Sequence, residues 1–129
     1  MVTRARDSMK ISAWAATHKG LVRAVNEDNH LVLSSQQLYV VCDGMGGHAA
    51  GELASRIAVE TIREHVEASA NLLVRYRDEG TPELRREVSD RLSEAVRSAG
   101  EEIFAHAQKN PKHRGMGTTL TALLICGRR

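Results

Sequence analysis

The run Leu38-Tyr39-Val40-Val41-Cys42 is continuously apolar and stops at Asp43, against the glycine-rich stretch Gly44-Met45-Gly46-Gly47-His48-Ala49-Ala50-Gly51. A short apolar run of this kind reads as a buried strand, and the glycines that follow mark a tight connection. From Glu52 the period changes. Leu53, Ala54, Ile57, Ala58, Thr61, Ile62, His65 and Val66 fall on one stripe, with Arg56, Glu60, Arg63, Glu64 and Glu67 facing the other way. That is the pattern of an amphipathic helix. An acid therefore stands at the C-terminal end of a buried strand, a few residues before a helix begins.

The flanking segments extend the pattern. Leu31-Val32-Leu33, the polar turn Ser34-Ser35-Gln36-Gln37 and the run to Cys42 predict a hairpin. Ile11 to Thr17 reads as an additional first strand behind a disordered basic leader, residues 1–10. Thr81 as N-cap and Pro82 at the first helical position open a second helix. Its stripe is Leu84, Val88, Leu92, Ala95, Ala99, Ile103 and Ala107, and Asn110-Pro111 ends it. Ser69 to Gly80 reads as a connection that extends the first helix through Leu72-Leu73. Lys112 to Gly117 is a loop, and Thr118 to Cys126 a last strand. Strands grouped before helices predict an α+β fold, a mostly antiparallel sheet with two long helices packed on one face. The strands are apolar enough to need cover on the other face too.

Composition narrows the functions open to such a chain. Its 129 residues suffice for one core, and 42% hydrophobic with 26% charged residues is a globular balance. Residues 1–64 carry seven bases and seven acids, and residues 65–129 eleven and nine. With a net charge of only +2 and four aromatic residues, neither a basic field nor a base-stacking surface for nucleic acid is indicated. No apolar run approaches the roughly 20 residues of a membrane span. Ile11 to Ala16 is shorter than the roughly 7–15 residues of a signal-peptide core. Cys42 and Cys126 do not form a disulfide framework, and the expectation is a reduced, cytoplasmic protein.

Two acidic clusters carry the candidate chemistry. Arg23-Ala24-Val25-Asn26-Glu27-Asp28-Asn29 precedes the hairpin, and Asp43-Gly44 ends its second strand. A hairpin brings the entry of one strand beside the exit of the other, so Glu27, Asp28 and Asp43 are expected at one edge of the sheet. Carboxylates gathered there repel unless a cation or a shifted pKa compensates. All-oxygen donors favour a hard ion such as Mg²⁺ or Mn²⁺, and the Arg23 fork suits phosphate. A turn with solvated acids and an Arg–Asp ion pair accounts for the same residues, and spacing alone does not choose. Gly44-x-Gly46-x-x-Ala49 also matches a dinucleotide-binding fingerprint. Asp43 beside the first glycine, the absence of a following parallel strand and the placement of Glu64 inside a helix count against that alternative.

Three segments in order resemble a known family. Gly20-Leu21-Val22-Arg23-Ala24-Val25-Asn26-Glu27-Asp28, Val41-Cys42-Asp43-Gly44-Met45-Gly46-Gly47-His48 and Gly115-Met116-Gly117-Thr118-Thr119-Leu120 are similar to the signatures of the PPM-type (type 2C) metal-dependent protein serine/threonine phosphatases in their bacterial form. The resemblance implies an α-β-β-α sandwich with two Mn²⁺ or Mg²⁺ ions at one end. It implies that Asp43 bridges both metals, that the Gly44 carbonyl and Glu27 bind one of them, that Asp28 holds water around the metal, and that Arg23 binds the substrate phosphate. It further implies phosphorylated Ser/Thr proteins as substrates and a serine/threonine kinase system as counterpart.

Members of that family continue with later Asp-Gly and Asp-Asn segments that complete the metal shells. On the resemblance, residues 11–129 are the N-terminal portion of such a domain, with catalysis incomplete in this chain. Two other readings are a non-catalytic metal- or phosphate-binding remnant and a fragment that needs a complementing chain. Met45 stands where some relatives place a histidine, and His48 is read as a loop or helix-start residue. Cys42 is read as core. The uncovered sheet face predicts self-association.

Overall fold

The computed structural model describes residues 10–47 and 49–127; the basic leader before residue 10 and His48 lie outside the described residues. The elements in order are β1 (Asp28–Leu33), β2 (Leu38–Met45), α1 (Ala50–Ala68), α2 (Ala70–Glu79), α3 (Pro82–Lys109), a 3₁₀ turn (Pro111–His113), β3 (Gly117–Thr118) and β4 (Thr121–Leu124). β2 is the centre of the sheet. It pairs antiparallel with β1 on one side and with β3 and β4 on the other. The predicted hairpin is present and longer at its open end, reaching Asp28 opposite Asp43.

Alternation along β2 decides the core. Leu38, Val40, Cys42 and Gly44 are buried, whereas Val41, Asp43 and Met45 are exposed. The buried set faces the helices. Ala58, Val59, Ile62 and Val66 of α1 and Leu84, Val88, Ala95 and Ala99 of α3 join Leu38, Val40 and Cys42 in one cluster. α1 lies against β1 and β2, and α3 packs along α1. Small residues permit that proximity: Ala54 and Ala95 are both 0% exposed.

Thr81 caps α3 as expected, its hydroxyl accepting from the Leu84 N–H at 3.3 Å, with Pro82 behind it. The α+β reading with an antiparallel sheet holds, with three helices where two were expected. Residues 70–79 are a helix rather than a connection. At Ser69 the backbone leaves helical geometry (φ −95°, ψ 13°) and the hydroxyl donates to the His65 carbonyl at 2.9 Å. Such back-bonding bends a helix, and Leu73 and Tyr76 then bury the new turns.

Two further expectations need correction. Ile11 to Thr17 forms no strand, because nothing among the described residues pairs with it. Its Ala13-Trp14-Ala15 stretch instead borders the open sheet face beside Val32, Tyr39, Val41 and Leu123. The last strand is also interrupted. β3 and β4 are separated at Thr119-Leu120, where Thr119 turns its hydroxyl and its N–H to the backbone of Asp43. The dinucleotide alternative falls with the topology, since every strand pairing among the described residues is antiparallel.

Candidate active site

The open end of the β1–β2 hairpin meets the first turn of α1. The turn into that helix requires unusual backbone: Gly47 has φ 60° and Ala49 φ 65°. Glycine adopts such values without a Cβ penalty. The chain then passes extremely close to itself. A Cβ on Gly44 would lie 2.6 Å from the Glu27 carbonyl oxygen and closer still to the Gly51 carbonyl. A Cβ on Gly51 would lie 2.5 Å from Glu27 Oε1. Two glycines thus let the end of β2, the start of α1 and Glu27 share one place.

Asp43 sits opposite Asp28 in the ladder. Both are exposed. Like charges directly opposite in an antiparallel pair are destabilising. The Asp43 backbone is fixed from the other side, its N–H donating to Thr119 Oγ1 at 3.0 Å and its carbonyl accepting from the Thr119 N–H at 2.9 Å. Gly44 donates its N–H to the Glu27 carbonyl at 3.1 Å. Asn26 caps the entry, its side-chain oxygen accepting from the Asp28 N–H at 3.0 Å while its amide donates to Thr17 Oγ1 at 2.9 Å.

The expected acids therefore gather at one edge, divided between two sides. Asp28 and Asp43 are exposed across the ladder, whereas the Glu27 carboxylate lies against Gly51 at the start of α1. Glu27 Oε1 is buried and has no hydrogen-bond partner. A buried carboxylate oxygen without a donor is costly. A hard cation meets that need, so the oxygen donors fit the implied ion. Among the described residues no group of three or more His, Cys, Asp or Glu side chains is close enough to hold a metal by itself. Arg23 is exposed in the segment before β1 and forms no ion pair among the described residues.

Cys42, one residue before Asp43, is 3% exposed, and burial pushes its thiol up to about 11, a hydrogen bond from Thr118 pulling the other way. A thiol held neutral is a packing group, not a nucleophile. Sequence reasoning missed Asn29, Gly51, Ser55 and Thr119. The available signal was polarity out of place: Asn29 alternates with Asp28 toward the helix side, and Ser55 interrupts the small-residue face of α1.

A hairpin edge carrying oxygen donors thus stands against a glycine-lined helix start. Residues 18–129 match the family described as Protein phosphatase 2C. The serine/threonine protein phosphatase PstP of Mycobacterium tuberculosis is 36% identical over 127 residues, covering 97% of this chain and 21% of that protein. The serine/threonine phosphatase stp of Listeria innocua is 32% identical over 112 residues, covering 84% of this chain and 40% of that protein. The crystal structure of the catalytic domain of PstP in complex with two manganese ions superposes with a TM-score of 0.63 at 36% identity, over 84% of this chain and 40% of that one. The chain belongs to the protein phosphatase 2C family. It spans about a fifth to two fifths of the length of these curated relatives.

Proposed function

We propose that this chain carries the Asp43 side of a metal-dependent phosphatase site acting on phosphoserine and phosphothreonine in proteins. One observation carries the reading: the buried, unpartnered Glu27 Oε1 lies at the edge where Asp28 faces Asp43. Asp43 and the Gly44 carbonyl hold a hard divalent cation, Mn²⁺ or Mg²⁺, and Glu27 contributes its carboxylate. Asp28 accepts hydrogen bonds from water at the same edge. Arg23, on the exposed segment before β1, binds the phosphate of the substrate through its planar fork. The bound cation supplies Lewis-acid stabilisation of the phosphoryl group and activates water. The chain's own groups fix the geometry: Thr119 clamps the Asp43 backbone, and the glycines admit Glu27 to the start of α1.

Residues 11–129 on this reading are the N-terminal portion of the phosphatase domain, and the 129-residue chain alone turns over slowly. The manganese in the PstP structure supports the choice of metal. A serine/threonine kinase system is the natural source of the substrate. Cys42 and Cys126, both buried and not joined in a disulfide, suit a reducing cytoplasm. No helix among the described residues is long and apolar enough to cross a membrane. The exposed Val41, Leu123 and Trp14 favour self-association through the open sheet face.

The test is hydrolysis of a phosphothreonine peptide in millimolar Mn²⁺. A slow, Mn²⁺-dependent turnover that Asp43→Asn abolishes is expected. Turnover unaffected by Asp43→Asn would contradict the assignment, and turnover matching a full-length relative would contradict the partial site.

A further inference from the structure

Ser55 is the one polar side chain buried among the described residues, at 0% exposed, and the proposed chemistry does not use it. It lies within the buried face of α1, between Ala54 and Ala58. A hydroxyl left unpaired there costs about 1–3 kcal/mol. It is not unpaired. Ser55 Oγ is 2.6 Å from the Glu27 carbonyl and 3.1 Å from the Glu52 carbonyl, and Asn29 Nδ2 donates to it at 2.8 Å. Asn29 Nδ2 also reaches the Glu52 carbonyl at 3.4 Å. A hydroxyl has one proton, and the short contact assigns it to Glu27.

Glu27 is thereby held at both ends by elements packed around it. Its carbonyl accepts from Ser55 Oγ and from the Gly44 N–H, and its carboxylate rests on Gly51, one turn before Ser55 on α1. A carboxylate that is already aimed loses less conformational entropy when it binds a cation than one that must be ordered on binding.

We propose that Ser55 and Asn29 are positioning residues for Glu27: the Ser55 hydroxyl, itself held by Asn29, pins the Glu27 backbone to α1 so that its carboxylate is directed to the cation before the cation arrives. This rests on the reading that the Glu27 edge binds a hard divalent ion. The hydroxyl could in principle serve only to hold α1 on β1. A tie of that kind changes the stability of the fold and leaves the cation affinity of folded molecules alone. A positioning role changes the affinity itself.

The experiment is a Mn²⁺ titration of the full chain by calorimetry, at a temperature where circular dichroism shows each metal-free variant fully folded. Ser55→Ala is expected to raise the Kd about 10-fold, the low end for groups that orient metal ligands. Asn29→Ala is expected to raise it about 3-fold. Val59→Ala, a core truncation on the same helix away from Glu27, lowers the melting temperature and leaves the Kd within about 2-fold on the same reasoning. An unchanged Kd in Ser55→Ala, or an equal rise in Val59→Ala, overturns the inference while leaving the metal site standing. A wild-type chain that binds no Mn²⁺ overturns the site itself and the inference with it. If Ser55→Ala does not fold, Asn29→Ala at half-buried β1 decides by the same readout.

Discussion

The two faces of the sheet differ in what specifies them. On the helix side, Leu38, Val40 and Cys42 are at most 3% exposed, closed in by α1 and α3. On the other side, Val41 and Leu123 are each 56% exposed, with only the Ala13–Ala15 stretch alongside among the described residues. Both faces are made by the same strands, and both are apolar. The difference lies in the partner, which periodicity supplies for one face and nothing among the described residues supplies for the other. The site sits where the two faces end together, with Glu27 on the covered side and Asp28 and Asp43 exposed across the ladder.

The largest effect is expected where the covered face is tightest. Gly44→Ala places a methyl against the Gly51 and Glu27 carbonyls, which are backbone and cannot swing aside. Its cost should exceed about 4 kcal/mol in urea unfolding, enough to unfold a marginal domain. A near-wild-type midpoint would show that the close approach is not fixed. Next, Ile62→Ala removes a side chain that is 1% exposed and should cost about 2–5 kcal/mol. Val41→Ala on the open face should cost less than about 1 kcal/mol. Equal losses would mean that the open face is covered in solution, and would move the comparison to what covers it.

Another effect on the covered face depends on pH. The Cys42 thiol is held at about 11 in the folded chain against an ordinary 9.0. The folded state keeps its proton after the unfolded state has lost it, so stability is intact below pH 9 and falls as pH rises toward 11. The loss should reach no more than about 2–3 kcal/mol, and Cys42→Ala should remove that component from the pH profile. Identical profiles for the two proteins would place the thiol in contact with solvent. The smallest expected change is on the open face. Val41→Thr with Leu123→Thr should shift the monomer fraction upward in light scattering at several concentrations, with stability altered by less than about 1 kcal/mol. A wild-type chain that is already monomeric at every concentration would end the self-association proposal.

The sequence was most legible where residues repeat with a period. The Thr81-Pro82 start of α3 and the hairpin are local patterns that the structure has, and the α1 stripe is buried at Ala54, Ala58, Ile62 and Val66 but only half-buried at Leu53, Ile57, Thr61 and His65. The hairpin also implied that Glu27, Asp28 and Asp43 share one edge of the sheet, whereas the register that sets Asp28 directly opposite Asp43 is seen only in the structure. Ile11 to Thr17 was misleading because a strand exists only with a partner, and no local pattern encodes one. The break at Ser69 depends on a side chain bonding its own helix, which composition does not reveal. At the site, the acids were visible as types. What aims them was not: Ser55, Asn29 and Thr119 act through bonds to backbone atoms, and |i−j| separations of 28 and 76 connect Ser55 to Glu27 and Thr119 to Asp43.

The central claim is that Asp43 anchors a hard cation at the open end of the hairpin. The direct measurement is Mn²⁺ binding to wild type and to Asp43→Asn by calorimetry, with metal-free melting followed in parallel. The amide keeps the backbone bonds to Thr119 and relieves the repulsion with Asp28, so metal-free stability should be unchanged or higher by about 0.2–1 kcal/mol. Mn²⁺ affinity should fall at least about 10-fold, as expected for losing a charged oxygen ligand of a hard ion. Equal affinity in the two proteins would contradict the account.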